Sequence, residues 1–516
     1  MTEIRDHDSD IETAALLGGP SDDHPAALEE PLGPKPMSVK SILFTMLTSA
    51  GVVFLLDIGN SLSLAPQTAI LESIVCQRYY ERLHGQLNWQ YQGNVSVISW
   101  GAGGTDKDCK IGPIQSQVAF INGWKDVCET LPGILFAVPF GILADRWGRK
   151  GVMLMAVLGL VLADGWVRFV YWFPNFFPLW SVWLGGWLQV IGAGGTTLSS
   201  MVFAQLADVC PAEQRTAAFS ILASSTLLSQ LIFVPVGAAL MDWLSPWVPM
   251  FLTSGLGILG LVVAWIYVPE TKPITSEDED QDEERRDSEW FQLRELGMKG
   301  KELARGFVKN RSAALVLVST FCFSLAIMSD SSLLLQYVSK RLGWTIGEAA
   351  ILLSVRAGVG LLVLAVLLPL ASSFFLVRLN LHEGLKDKRI AQASGVFLSV
   401  GAATLFLGNS WILLFAGQIL FAVGFAYTAT TRSLLASTVD ETQRATAFTA
   451  LTVFMQAGFL IGSPLLAAAF TWGLKLGEAW SGMPFLVAAG VSVVGTMAVS
   501  AISVRGGGEE RVITLG

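Results

Sequence analysis

Long apolar runs alternate along this chain with short charged or turn-rich breaks. The runs predict helices at 42–66, 118–143, 151–173, 178–205, 217–241, 247–268, 313–337, 347–371, 391–409, 411–436, 446–472 and 480–503. The Gly408-Asn409-Ser410 break places a turn between the ninth and tenth. A bilayer crossing takes about 20 mostly apolar residues, so the pattern predicts an all-α membrane protein with twelve transmembrane helices. It also predicts the layout: a tail over 1–41, a six-helix bundle over 42–269 holding a long loop at 67–117, a linker over 270–312, a second six-helix bundle over 313–503, and a tail over 504–516.

Composition agrees with that pattern. AVILMFWYC residues make up 52% of the 516 and DEKR only 15%, against roughly 25% charged in a soluble protein. Several soluble domains are thereby excluded. The net charge is −8, and no basic stripe for nucleic acid exists. The first 41 residues carry Asp6, Asp8, Asp10, Asp22, Asp23, Glu29 and Glu30. They lack the basic and apolar regions of a cleaved signal peptide and read as a disordered tail. The linker run Ser276-Glu277-Asp278-Glu279-Asp280-Gln281-Asp282-Glu283-Glu284 is self-repelling and reads as a solvated tether.

Lys and Arg in short loops stay cytoplasmic. Arg146, Arg149 and Lys150 follow the second helix, Arg215 the fourth, Arg378, Lys386, Lys388 and Arg389 the eighth, and Arg444 the tenth. Loops after the third, fifth and ninth hold neither residue type. Both termini are expected inside. Loop 67–117 then falls outside despite Arg78, Arg82, Lys107 and Lys110, since long loops obey the charge rule poorly. It holds the sequon Asn94-Val95-Ser96, a glycosylation candidate, and Cys76 and Cys109, which an oxidising exterior allows to pair. Cys128, Cys210 and Cys322 read as inert apolar residues.

The chain also repeats itself. Leu206–Pro235 and Leu435–Pro464 share Leu206/Leu435, Ala207/Ala436, Gln214/Gln443, Arg215/Arg444, Ala218/Ala447, Phe219/Phe448 and Pro235/Pro464 at a constant offset of 229; Gln189/Gln418 and Gly195/Gly424 extend it upstream. Copies six helices apart have the same topology, so the two six-helix sets form parallel repeats. Such repeats belong to a transporter architecture that holds substrate between its halves.

Between the second and third helices stands Gly141-Ile142-Leu143-Ala144-Asp145-Arg146-Trp147-Gly148-Arg149-Lys150. This segment resembles the loop 2–3 signature of the major facilitator superfamily, G-x-L-x-D-R-x-G-R-[KR], at every fixed position. Val268-Pro269-Glu270-Thr271 is similar to the P-E-T that often closes a half in that superfamily. The resemblance spans 42–503 and fits best to fungal twelve-helix transporters, many of them exporters of drugs or secondary metabolites. It implies that Gly141 lets two helices approach, that Gly148 makes a tight turn, and that Asp145 faces the N-terminus of the eleventh helix. Arg146, Arg149 and Lys150 would then latch the cytoplasmic gate, together with Arg215 and Arg444. Two departures are visible: only Pro235 and Gly237 survive of the antiporter pattern in the fifth helix, and Gly186 replaces the arginine often found three residues before Gln189.

Charge inside a bilayer is costly and usually functional. Asp57, near the middle of the first helix, is the favoured proton-coupling residue, its alternative role being a structural bond to the Asn60–Ser61 region. Asp330, in the seventh helix, is a second titratable candidate, expected close to the outer end and solvated. Arg356 stands mid-membrane in the eighth helix, to contact an anionic substrate or to neutralise Asp57 or Asp330. Gln189, Gln418, Gln230 and Gln456 are candidates to line a substrate cavity. Asp164 and Arg168 are spaced i,i+4 to pair; Lys125, Asp126 and Glu129 occupy the outer third of the second helix.

No Cys/His metal spacing, P-loop or dinucleotide fingerprint is present. ATP-driven transport is thereby set aside, and the resemblance implies proton-driven efflux of a small organic compound, a secondary metabolite or drug, by alternating access, with no metal, no cofactor and no enzymatic step, the proton gradient supplying the energy. Proton-coupled uptake and a non-transporting sensor are the alternatives. The expected partners are the substrate, protons and the lipid bilayer, with the chain a monomer. The expected location is the plasma membrane, with the vacuolar membrane as alternative.

Overall fold

The computed structural model describes residues 39–86, 109–209, 212–271, 310–330, 332–379, 381–439 and 444–503. Asn94, Cys210, the acidic linker run and both tails lie outside them. The first helix, α1, runs over Val39–Gln86. It continues twenty residues past the end that hydropathy assigns at 66. Pro66 sits inside it, and Leu71, Ile74 and Val75 beyond the proline are buried, so packing extends the helix where local signals stop it. The outer loop is correspondingly shorter.

Next come α2 (Gly112–Trp147), α3 (Arg149–Trp172), the short α4 (Leu184–Leu188), α5 (Gly194–Val209), α6 (Ala212–Trp243) and α7 (Trp247–Tyr267). The run expected as one helix over 178–205 is broken: Gly192, Ala193 and Gly194 all take positive φ, at 94°, 56° and 64°. Glycine tolerates that backbone. It also has no Cβ to strike the neighbour, since a side chain on Gly192 would lie 2.3 Å from the backbone N of Ala156 in α3.

After the linker come α8 (Arg311–Ile327) and α9 (Ser332–Leu342), joined by a 45° bend, then α10 (Ile346–Arg378) and α11 (Glu383–Phe406). The tenth predicted helix is also broken, into α12 (Trp411–Val423) and α13 (Ala426–Thr438), after which α14 (Arg444–Leu476) and α15 (Met483–Ser500) close the fold. The breaks fall at 192–194 and 424–425, beside the repeated Gly195 and Gly424. Among the described residues nine helices are long and apolar enough to cross a membrane, ten if the bent α8–α9 pair is one span. Charged Lys125, Asp126 and Glu129 lower the apolarity of α2, and the break leaves α4 and α5 each too short to qualify.

Two helix sets result. α1 packs on α6 and α7, and α3 on α5 and α7; in the second set α8 packs on α14 and α15, and α11 on α12 and α15. The sets meet along α2–α14 and α6–α10. Among the described residues, the contacts between them include a cluster toward one end. Gly112 abuts Leu474, Gly123 abuts Ala467, and Gly347 abuts the Asp242 carboxylate. The Lys340 ammonium donates to the Lys110 carbonyl at 2.7 Å. That end also carries a disulfide between Cys76 and Cys109, their Cα atoms 5.4 Å apart. Lys110 pairs with Glu72 at 2.9 Å, fixing the same segment to α1. At the opposite end Gly141 has open space where a side chain would stand.

The disulfide closes a chain separation of 33 residues. On loop entropy alone such a bridge contributes about 3.7 kcal/mol. Cys76→Ser should lower the thermal unfolding midpoint of the purified protein by several degrees, and dithiothreitol should do the same to the parent while leaving the variant unmoved.

Candidate functional site

Side chains of α6 and α12 and of two helix breaks, α8–α9 and α12–α13, converge on Arg356 of α10. One guanidinium nitrogen donates to the Asp330 carboxylate at 3.2 Å and to the Asp330 carbonyl at 2.6 Å. The other donates to Gln230 Oε1 on α6 at 2.9 Å. Gln418 on α12 donates to both Asp330 oxygens, at 2.9 and 2.8 Å. Phe425, at the α12–α13 break, lies 5.8 Å from the guanidinium, within cation–π range. Asp330 is 1% exposed and Gln418 fully buried. A carboxylate so placed is tolerated only when paired and hydrogen-bonded, and this one has both.

The break between α8 and α9 makes the arrangement. A helix end leaves carbonyls without intrahelical donors, and the Asp330 carbonyl accepts from Arg356 instead. The expectation that Asp330 is solvated near the outer end is corrected accordingly. The helix does not finish soon after 330 but bends and continues to Leu342, which leaves Asp330 mid-span and turned inward. Arg356, Asp330, Gln230 and Gln418 thus come together. Gln456 is half-buried on α14 and does not join them. Gln189 is buried in the first set, its side-chain oxygen packed over Gly194.

Asp57 is half-buried on α1, and Thr226 of α6 donates to its carboxylate at 2.8 Å. Its partner is not the Asn60–Ser61 region: one turn on, Ser61 pairs with Ser229 at 3.1 Å. Among the described residues Asp57 makes no ion pair. The other intramembrane charges are matched, Lys125 with Glu129 at 2.8 Å and Arg168 with Asp164 at 2.7 Å. Asp126 accepts from Ser463 of α14 at 2.5 Å.

At the open end Gly148 alone separates α2 from α3, with φ of 91°. The Glu270 carboxylate accepts from the backbone amides of Arg149 and Lys150 at 3.0 and 3.1 Å. It caps α3, whose first amides have no helical partner and favour an anion. Glu270→Ala should cost about 1 kcal/mol locally, or roughly fivefold faster hydrogen exchange at those two amides, measured by exchange mass spectrometry. The side chains of Asp145, Arg146, Arg215 and Arg444 lie outside the described residues.

Three side chains that hold these groups were not legible in the sequence. Thr226 and Ser463 carry no signal beyond their class, although Ser463 precedes the repeated Pro464. Glu270 was visible in the P-E-T segment, but its target was not. Among the described residues no three His, Cys, Asp or Glu side chains gather as a metal site.

The family model for the Major Facilitator Superfamily matches residues 119–383. Efflux pump ustT of Aspergillus flavus is 38% identical over 440 residues, covering 83% of this chain and 82% of that protein. MFS efflux pump atnC of Emericella nidulans is 31% identical over 499 residues, covering 94% and 92%. The crystal structure of a D-xylose–proton symporter shares the fold at a TM-score of 0.59 and 12% identity, covering 90% of this chain and 98% of that one. With a half-length match to the family model and two relatives above 30% identity, the chain belongs to the Major Facilitator Superfamily.

Proposed function

We propose that the protein is a proton-driven exporter of a small organic compound, working by alternating access. The observation that carries this reading is the union of the two helix sets toward the disulfide end among the described residues. On this reading residues 42–269 and 313–503 are halves of six crossings each: the nine long spans, the bent α8–α9 pair, the charged α2 and the broken α4–α5 bring the count to twelve. The basic turn at 146–150 faces the cytoplasm and both termini lie inside. The disulfide end is then external, and the conformation is open to the cytoplasm.

Export is supported by the relatives named as efflux pumps. Asp57 is the proton carrier, a half-buried carboxylate on α1 held by the Thr226 hydroxyl and without an ion pair among the described residues. Arg356 keeps its Nε without a partner among the described residues, leaving a donor for substrate beside Gln230 and Gln418. The protein acts as a monomer in the plasma membrane, needs no cofactor and performs no covalent chemistry.

Purified protein in liposomes with an imposed pH gradient and a trapped pH dye tests the reading. Addition of a transported compound from a chemically diverse panel should dissipate the gradient, and cells expressing the protein should accumulate less of that compound. Raised accumulation would assign uptake instead, and binding without flux would end the transport reading.

A further inference from the structure

We propose that Asp126 and Ser463 form a clasp that holds the two halves shut at the disulfide end, and that parting this pair is the step by which the outer gate opens. The inference rests on the transport reading above and adds the residues that set the gate.

The pair occupies the apex of the space between the halves. Outward from it α2 and α14 stay in contact, through Gly123 against Ala467 and Gly112 against Leu474. Inward from it the glycines of α2 face elsewhere, Gly133 toward Thr196 of α5 and Gly141 toward open space. At that apex the Ser463 hydroxyl, 5% exposed, donates to the Asp126 carboxylate at 2.5 Å. Gly123, one turn from Asp126, makes the approach feasible, since a Cβ there would lie 3.0 Å from the Ala467 Cβ and 3.3 Å from the Ser463 carbonyl. The neighbouring cation is already engaged, with Lys125 held by Glu129, so the Asp126 carboxylate is left to α14. Pro464 follows Ser463 inside the helix. It supplies no N–H to the preceding turn, so α14 can bend at the clasp.

The opposite seam repeats the device with the charge reversed. There Arg356 of α10 donates to Gln230 of α6 across the halves, with Gly358 against Leu231 and Gly360 against Leu227 beside it. Arg356 follows Asp126 by 230 residues, one more than the offset of the repeat. Equivalent helices therefore present a charge at equivalent depth, an anion on one seam and a cation on the other. A hydrogen bond to an ionised group is about twice as strong as a neutral one, and opening strips Asp126 of its hydroxyl donor before water can replace it.

The test reads gate opening and needs neither substrate nor gradient, so its failure is distinct from failure of the transport reading. A reporter cysteine replaces Ala238, buried on α6 against the second half and remote from the clasp. Labelling by a water-soluble maleimide applied to the disulfide face is followed by peptide mass spectrometry, with buried Cys322 as an internal standard. Ser463→Ala should speed labelling at position 238 about tenfold, the weight of one charge-assisted hydrogen bond. Asp126→Asn should do so to a similar or smaller extent, the double variant should add little to Ser463→Ala, and Ser463→Thr should stay near the parent. Unchanged labelling in Ser463→Ala overturns the proposal. So does equal acceleration at Cys322, because the bond would then hold the fold rather than the gate.

Discussion

Replacing Arg356 by alanine should destabilise the protein by about 3–5 kcal/mol, the cost of leaving a buried carboxylate without its partner. Asp330 is almost fully enclosed, and once the guanidinium is gone only the Gln418 amide still donates to its side chain. Gln230 loses its donor at the same time. Tryptophan-fluorescence melts in detergent should show the loss as a large drop in the unfolding midpoint and in the yield of monodisperse protein. Combining Arg356→Gln with Asp330→Asn should recover most of it, because two neutral groups can still exchange a hydrogen bond and neither is a stranded charge. A double variant no more stable than Arg356→Ala would mean that the pair is held for some reason other than mutual neutralisation.

The second large effect is expected at Asp57. Asp57→Asn should reduce gradient-driven flux by more than about tenfold while leaving the melting midpoint within a degree or two, since a half-exposed side chain held by one hydroxyl contributes about 1 kcal/mol at most. Thr226 Oγ can still donate to the amide oxygen, so the local geometry survives the change. Downhill exchange of the compound between equal pools needs no net proton movement and should persist. Liposome flux with and without a pH gradient separates the two behaviours, and full gradient-driven transport in the variant would remove Asp57 from the coupling step.

Much of the fold was legible because a bilayer imposes length and apolarity on each crossing. Hydropathy windows fall on the observed helices, with ends displaced by up to eight residues, as at 391 against Glu383, and by twenty at Pro66. Pro66 looked like a stop, yet the proline lies inside α1, and burial of Leu71, Ile74 and Val75 outweighs one missing hydrogen bond. The break at Gly192-Ala193-Gly194 reads as one more small apolar stretch, since only three-dimensional crowding against Ala156 reveals why the chain leaves the helix there. Four candidates did assemble, Asp330, Arg356, Gln230 and Gln418, because scarce charge in a membrane seeks compensation. Their pairings were not legible. Ser463 stands 337 residues from Asp126, and Thr226 stands 169 from Asp57. Such contacts depend on how each helix is rotated about its axis, which a hydropathy profile does not encode.

The length of α1 has a mechanical consequence. From Asp57 to Gln86 the helix advances about 44 Å along its axis, so a tilt of about 10° at Asp57 sweeps its far end through roughly 8 Å. Through the disulfide, the residues around Cys109 must travel with it. On the proposed reading, a small rearrangement beside a single carboxylate would thereby be amplified into a displacement several ångströms wide at the disulfide end.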